Sequence, residues 1–67
     1  MEAHKVEYGT KVIVIDENVK IPPCSLPVNK GDEIIIHNLD GMYCKGKDKD
    51  GNTIYLAGWT EVEIIKN

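Results

Sequence analysis

From Leu26 to Ile65 the chain sets short runs rich in β-branched residues, Glu33-Ile34-Ile35-Ile36, Thr53-Ile54-Tyr55-Leu56 and Glu61-Val62-Glu63-Ile64-Ile65, between the turn signals Lys30-Gly31-Asp32, Leu39-Asp40-Gly41 and Lys49-Asp50-Gly51-Asn52. Alternating apolar and polar residues between glycine-centred turns make half-buried strands joined by hairpins. No helix of normal length is needed anywhere, so the expected architecture is all-β, a single small antiparallel barrel.

Taken in order, Met1 to Tyr8 is mixed polar and is expected to be a flexible N-terminal segment, as chain termini commonly are. The barrel then spans residues 9–67. Its first strand is Lys11 to Asp16, in which Val12-Ile13-Val14-Ile15 are all β-branched. Glu17 to Val28 contains Pro22, Pro23 and Pro27, which remove ladder donors and disfavour helix, so a long irregular loop joins strands one and two. Loops of this length inside a compact domain are usually functional. The second strand is Glu33 to Asn38 and the third Met42 to Lys47. The fourth is Thr53 to Ala57, and Gly58-Trp59-Thr60 turns into a fifth, Glu61 to Ile65. The expected core is Val12, Val14, Ile34, Ile36, Cys44, Ile54, Leu56, Val62 and Ile64.

Size and charge narrow the functional classes. A folded chain of 67 residues buries only about 60% of the surface its unfolded form exposes, so its stability is thin and a deep catalytic cavity is not expected. There is no apolar run long enough to span a bilayer, so no membrane role is expected. A net charge of −3 speaks against a generic polyanion binder, and all eight basic residues are lysines, which lack the forked donor preferred for phosphate and guanine recognition. Two cysteines, Cys24 and Cys44, do not make the dense framework of a small secreted domain, so reduced thiols are expected. Nothing at the N-terminus looks like an export signal, and a cytoplasmic setting follows by default.

The order strand, long loop, strand, hairpin, strand, hairpin, strand, short turn, strand resembles the SH3-like small barrel. Lys30-Gly31-Asp32 followed by Ile34 and Ile36 is similar to the Lys-Gly-Asp entry to that family's second strand. The chain is also similar to short open reading frames of bacteriophages and Gram-positive bacteria that open with Gly-x-Lys-Val-x-Val and close with Gly-Trp-x-x-x-Val-Glu. Here those stretches read Gly9-Thr10-Lys11-Val12-Ile13-Val14 and Gly58-Trp59-Thr60-Glu61-Val62-Glu63. Eukaryotic SH3 domains carry an Ala-Leu-Tyr-Asp-Tyr-like first strand and a Trp-Trp pair entering the third. This chain has Val14-Ile15-Asp16-Glu17-Asn18 and Met42-Tyr43 in those places, so the resemblance implies the fold and not polyproline recognition.

The candidate chemistry is sparse. His4, Cys24, His37 and Cys44 are the only soft or borderline metal ligands, and no Cys-x-x-Cys or His-x₃-His spacing joins them, so neither metal nor other cofactor is expected. A thiol nucleophile would need a base, and His37 stands on the strand next to Cys44. Around the Leu39-Asp40-Gly41 turn the two are expected to face opposite sides, and nothing supplies an oxyanion hole, so the chain is expected not to be an enzyme. The aromatics are Tyr8, Tyr43, Tyr55 and Trp59, with no phenylalanine. In a core of isoleucine and valine, aromatics with polar tips mark a half-exposed binding face. For Trp59 the alternative is a cap on the open end of the barrel. Lys45-Gly46-Lys47-Asp48-Lys49-Asp50 reads as a solvated turn of cancelling charge; if its lysines share one face, they offer phosphate contacts. The acidic pair Asp16-Glu17 instead suits a basic protein patch.

The expected function is a small, non-enzymatic protein-binding module acting through the long loop with Asp16, Glu17, Tyr43, Tyr55 and Trp59. The lysine-, isoleucine- and asparagine-rich, arginine-free composition points to an A+T-rich coding source. With the resemblance, it suggests a phage or bacterial accessory protein that modulates a host protein. The rival class is a barrel that binds single-stranded nucleic acid, stacking bases on Tyr43 or Tyr55. A monomer is expected over an oligomer.

Overall fold

In the computed structural model, which describes residues 1–65, five antiparallel strands form one sheet. They are β1 (Lys11–Val14), β2 (Glu33–Asp40), β3 (Tyr43–Asp48), β4 (Thr53–Ala57) and β5 (Val62–Ile64), in the spatial order β4-β3-β2-β1-β5. The expected strands are present with ends shifted by one or two residues, and β4 has the expected bounds. The expected 9–67 unit runs two residues beyond those described.

Alternation decides which side chains face inward. Val12 and Val14 of β1, Ile34 and Ile36 of β2, Cys44 of β3, Ile54 and Leu56 of β4 and Val62 of β5 are all buried, as their spacing requires. Ile64 is the exception among the nine expected core residues: it pairs with the buried Val12 but remains 43% exposed, because the cover over β5 ends at Val62.

Two expectations need correction. The sheet is not closed into a barrel: β4 and β5 are its two edges, and each is bonded by another part of the chain instead of by the other. The reason lies at the two edges. Along β4 the long loop takes the partner's place, with the Ala57 amide donating to the Lys20 carbonyl (2.8 Å) and the Tyr55 amide to the Ser25 hydroxyl (2.9 Å). Along β5 it is the N-terminal segment, where the Val62 amide donates to the Met1 carbonyl (2.8 Å) and Glu2 bridges Glu61.

The N-terminal segment is therefore packed against the sheet and is not a free tail. Ala3–Lys5 form one 3₁₀ turn, the Ala3 and His4 amides donate to the carbonyls of Thr60 and Gly58, and Ala3 and Val6 enter the core. Val28 from the long loop joins them, with Val19 and Ile21 packed against the same cluster. In so small a chain these additions extend the apolar burial that holds the fold.

The β2–β3 hairpin needs glycine at two places. Gly41 has φ of 66° in the two-residue turn that lets Asp40 pair with Tyr43. Gly46 stands in mid-β3 opposite Ile36, where a Cβ would clash with the backbone carbonyl of Ile35. Just beyond, His37 is an extra residue in β2, so the register steps from Ile36↔Gly46 to Asn38↔Lys45. A bulge beside a glycine is a place where paired strands commonly bend.

Candidate functional site

The pairing register places Tyr43 and Tyr55 on the same, outer side of the sheet. Cys44↔Leu56 and Gly46↔Ile54 point inward, so the register turns Tyr43↔Ala57, Lys45↔Tyr55 and Lys47↔Thr53 to the other side, where Ala57 is fully covered. Tyr43 and Tyr55 are thus diagonal neighbours across two strands, a separation long side chains can span. The outer face continues onto β2 and β1, where Ile35 stands opposite both Lys47 and Lys11, and Asp40 stands opposite Tyr43. Tyr43, Lys45, Lys47, Tyr55 and Ile35 are all half-buried, with neither full burial nor free exposure.

Tyr55 is fixed by its backbone. The Ser25 hydroxyl accepts from the Tyr55 amide (2.9 Å) and lies 3.0 Å from the Tyr55 carbonyl, standing where a paired strand residue would. The Ser25 amide closes a turn onto the Pro22 carbonyl at 3.0 Å, so the proline-rich loop is itself shaped to present that hydroxyl. The Lys47 ammonium donates to the Thr53 hydroxyl at 2.6 Å, tying β3 to β4 on the same face.

The other expected site residues are placed elsewhere or engaged. The Asp16 carboxylate accepts from the Asn18 amide (2.8 Å) and the Glu61 amide (3.2 Å), which hold its pKa below the ordinary value, the Asn18 bond most. It pins the start of the long loop to the entry of β5, at the sheet edge opposite Tyr55. Glu17 pairs with Lys30 across the loop at 3.1 Å. Trp59 is 47% exposed in the turn after β4, two residues beyond the Ala57 that pairs with Tyr43, so it borders the outer face at that end. Near it the exposed Leu39 and Met42 surround Gly58, whose amide donates to the Met42 carbonyl at 2.9 Å.

A thiol–imidazole pair does not form. His37 is the exposed bulge residue, while Cys44 is buried opposite Leu39, and burial pushes its thiol pKa up, away from a reactive thiolate. Cys24 is exposed in the long loop, and both thiols are free. Among the described residues, no three His, Cys, Asp or Glu side chains gather as a metal-binding group, and no helix is long and apolar enough to cross a membrane.

Two concave features among the described residues bear on the site. One of about 260 Å³ lies between the end of the long loop and the Asp48–Asn52 hairpin, lined by Val28, Ile34 and Ile54 with Asp32 and Asp48. Two of its four lining carboxylates hold turns: Asp32 accepts from the Asn29 amide, and Asp48 from the Asp50 and Asn52 amides, which lower its pKa with Asn52 first. The other, a depression of about 150 Å³, is lined by Lys11, Ile35, Lys47 and Lys49 together with Glu33 and Asp48. Lys11 and Ile35 were missed in the sequence because only the register Lys11↔Ile35↔Lys47 reveals that they share this row.

Comparison with known proteins adds no relative: no family model, curated protein or solved structure matches the chain.

Proposed function

We propose that the chain is a non-enzymatic binding module of SH3-like type that docks a protein partner on the outer face of β2–β4, with Tyr43 and Tyr55 as its anchors. The observation that carries the reading is the register Tyr43↔Ala57 and Lys45↔Tyr55, which turns both aromatics outward on adjacent paired strands, β3 inside the sheet and β4 at its edge. Aromatic side chains with polar tips on a preformed strand face cost little entropy to immobilise and bury large areas. The order of elements on which the SH3-like resemblance rests is also present, from the long loop after β1 to the short turn before β5. That resemblance extends to the proposal of an accessory protein acting on a host protein.

Asp16 and Glu17 leave the proposed contact set, since the first is held by two amides and the second by Lys30. Trp59 is kept as a border residue. A monomer fits this reading, because the chain's own loop and N-terminal segment cover parts of both sheet edges. Single-stranded nucleic acid is the second reading, favoured by Lys45 and Lys47 sharing the face with the two tyrosines.

Affinity capture with the intact chain, beside Tyr43→Ala, Tyr55→Ala and Trp59→Ala, tests the first reading. The same captured protein is lost with either tyrosine variant and only weakened with Trp59→Ala. Equal capture by folded tyrosine variants removes the outer face from the reading.

A further inference from the structure

We infer that the partner segment held on this face is acidic and extended, with carboxylates at alternate positions running along β3. The inference rests on the docking reading above and names the chemistry of what docks.

The chain carries a net charge of −3, yet four of its eight lysines gather on one side. Lys11, Lys45 and Lys47 occupy outward register positions, and Lys49 lines the same depression as Lys11 and Lys47. Lys5 and Lys30 are paired, with Glu2 at 3.4 Å and Glu17 at 3.1 Å. Among the described residues, no carboxylate comes within ion-pair distance of the four on the face. Two carboxylates line the depression with them: Asp48, which accepts from the amides of Asp50 and Asn52 and from the Asn52 side chain, and the exposed Glu33. Like charges at neighbouring sheet positions repel, and an incoming anion relieves that repulsion.

Spacing selects the shape of the anion. Lys45 and Lys47 are alternate residues of one strand, about 7 Å apart, which is also the spacing of alternate side chains in an extended peptide. Lys11 lies across Ile35 from Lys47, two strand spacings or about 10 Å away. Ile35 stands between Lys11 and Lys47, and Tyr43 and Tyr55 flank Lys45, so the carboxylate-bearing side of the peptide meets apolar surface beside the charges while its intervening residues point away from the sheet.

The borders select protein over nucleic acid. Asp40 closes the face beside Tyr43, and Glu33 and Glu63, both opposite Ile13, close it beyond Lys11. A nucleic-acid strand brings a phosphate with every nucleotide over a site of about four or more, and runs onto those carboxylates. A short peptide needs only the two or three anions that the lysines meet.

The test is fluorescence anisotropy on the full chain with a labelled peptide of alternating glutamate and valine, its glutamine counterpart, and single-stranded oligothymidine. The glutamate peptide binds, more weakly as salt is raised, and the glutamine peptide does not. A Lys45→Gln, Lys47→Gln double variant with an unchanged urea midpoint loses about tenfold in affinity, as two exposed charge pairs allow. An absent glutamate-peptide signal, or one undiminished in the double variant, overturns the inference. Tighter binding of oligothymidine, lost in that variant, overturns it in favour of nucleic acid. Capture of a protein that depends on Tyr43 and Tyr55 but not on the two lysines leaves the docking reading standing and removes only the acidic partner.

Discussion

Gly46→Ala is expected to destabilise the fold although alanine is the better-behaved residue almost everywhere else. The added methyl clashes with the Ile35 carbonyl oxygen and lies 3.2 Å from that carbonyl carbon and 3.5 Å from the Ile36 Cα. These are backbone atoms held in the β2–β3 ladder, so no side chain can swing aside. Overpacking a tight site costs about 1–3 kcal/mol, and a backbone clash belongs at the upper end. Alanine also removes unfolded-state freedom, which works the other way by about 0.4–1 kcal/mol. The steric effect wins, for a net loss of about 2 kcal/mol. Against about 3–10 kcal/mol of total stability expected for 67 residues, that is a large share. With a urea slope of about 1 kcal/mol/M for so small a chain, the midpoint drops by about 2 M, read by far-UV circular dichroism. Lys45→Ala, one residue away on the outer side, is the control and stays within about 0.5 kcal/mol. An unchanged or raised midpoint for Gly46→Ala would refute the claim that β2 and β3 approach closely at this point.

Further outcomes follow from the same contacts. Ser25→Ala removes the hydroxyl that serves the Tyr55 backbone and costs about 1–2 kcal/mol, with faster hydrogen exchange at the Tyr55 amide; unchanged exchange would detach the loop from the β4 edge. Asp16 and Asp48 both have pKa values lowered in the fold, Asp16 chiefly by the Asn18 amide and Asp48 chiefly by the Asn52 amide. Their contribution is complete above the ordinary value of 3.8 and is lost as pH falls through the folded values, so the urea midpoint declines on acidification and declines less in Asp16→Asn, Asp48→Asn; equal declines contradict the assignment. Native alkylation by iodoacetamide modifies Cys24 and spares Cys44 until urea is added, and prompt modification of both would contradict the burial of Cys44. Thr60→Val loses the buried bond from the Thr60 hydroxyl to the Ala57 carbonyl (2.7 Å) and costs about 1 kcal/mol, whereas Thr60→Ser keeps that bond; equal midpoints for all three chains would refute its contribution.

The strands and most of the core were legible because each depends on local alternation between turn residues. Val12, Val14, Ile34, Ile36, Ile54 and Leu56 are buried where a period of two puts them. What alternation cannot register is which segment covers an edge. Ala3 and Val6 are isolated apolar residues in a polar stretch, without a period of their own, and they are buried because β5 needed a partner that the sequence does not announce. Ile64 failed for the same reason in reverse, since its strand edge extends past the cover that Met1 provides. Thr60 was invisible as a core residue because its burial depends on a bond closed only when the Ala57–Thr60 turn forms. Tyr43 and Tyr55 were found by residue type, but the company of Lys11 and Ile35 required the register across three strands.

Edge protection links the fold to the face it presents. A five-stranded open sheet exposes two rows of unpaired amides and carbonyls, which invite addition of strands from other chains. Here Lys20 and Ser25 take up groups along β4, and Met1 takes up those of Val62 in β5, so backbone pairing is partly satisfied within the chain. Recognition through side chains is then favoured over strand addition at those places, and the outer face offers the side chains. The same loop that blocks the β4 edge also holds Tyr55 in place through Ser25. A change in the loop therefore reaches the face through β4, by the Ser25 hydroxyl at Tyr55 and by the Lys20 carbonyl at Ala57 opposite Tyr43, which couples the long excursion after β1 to the proposed docking face.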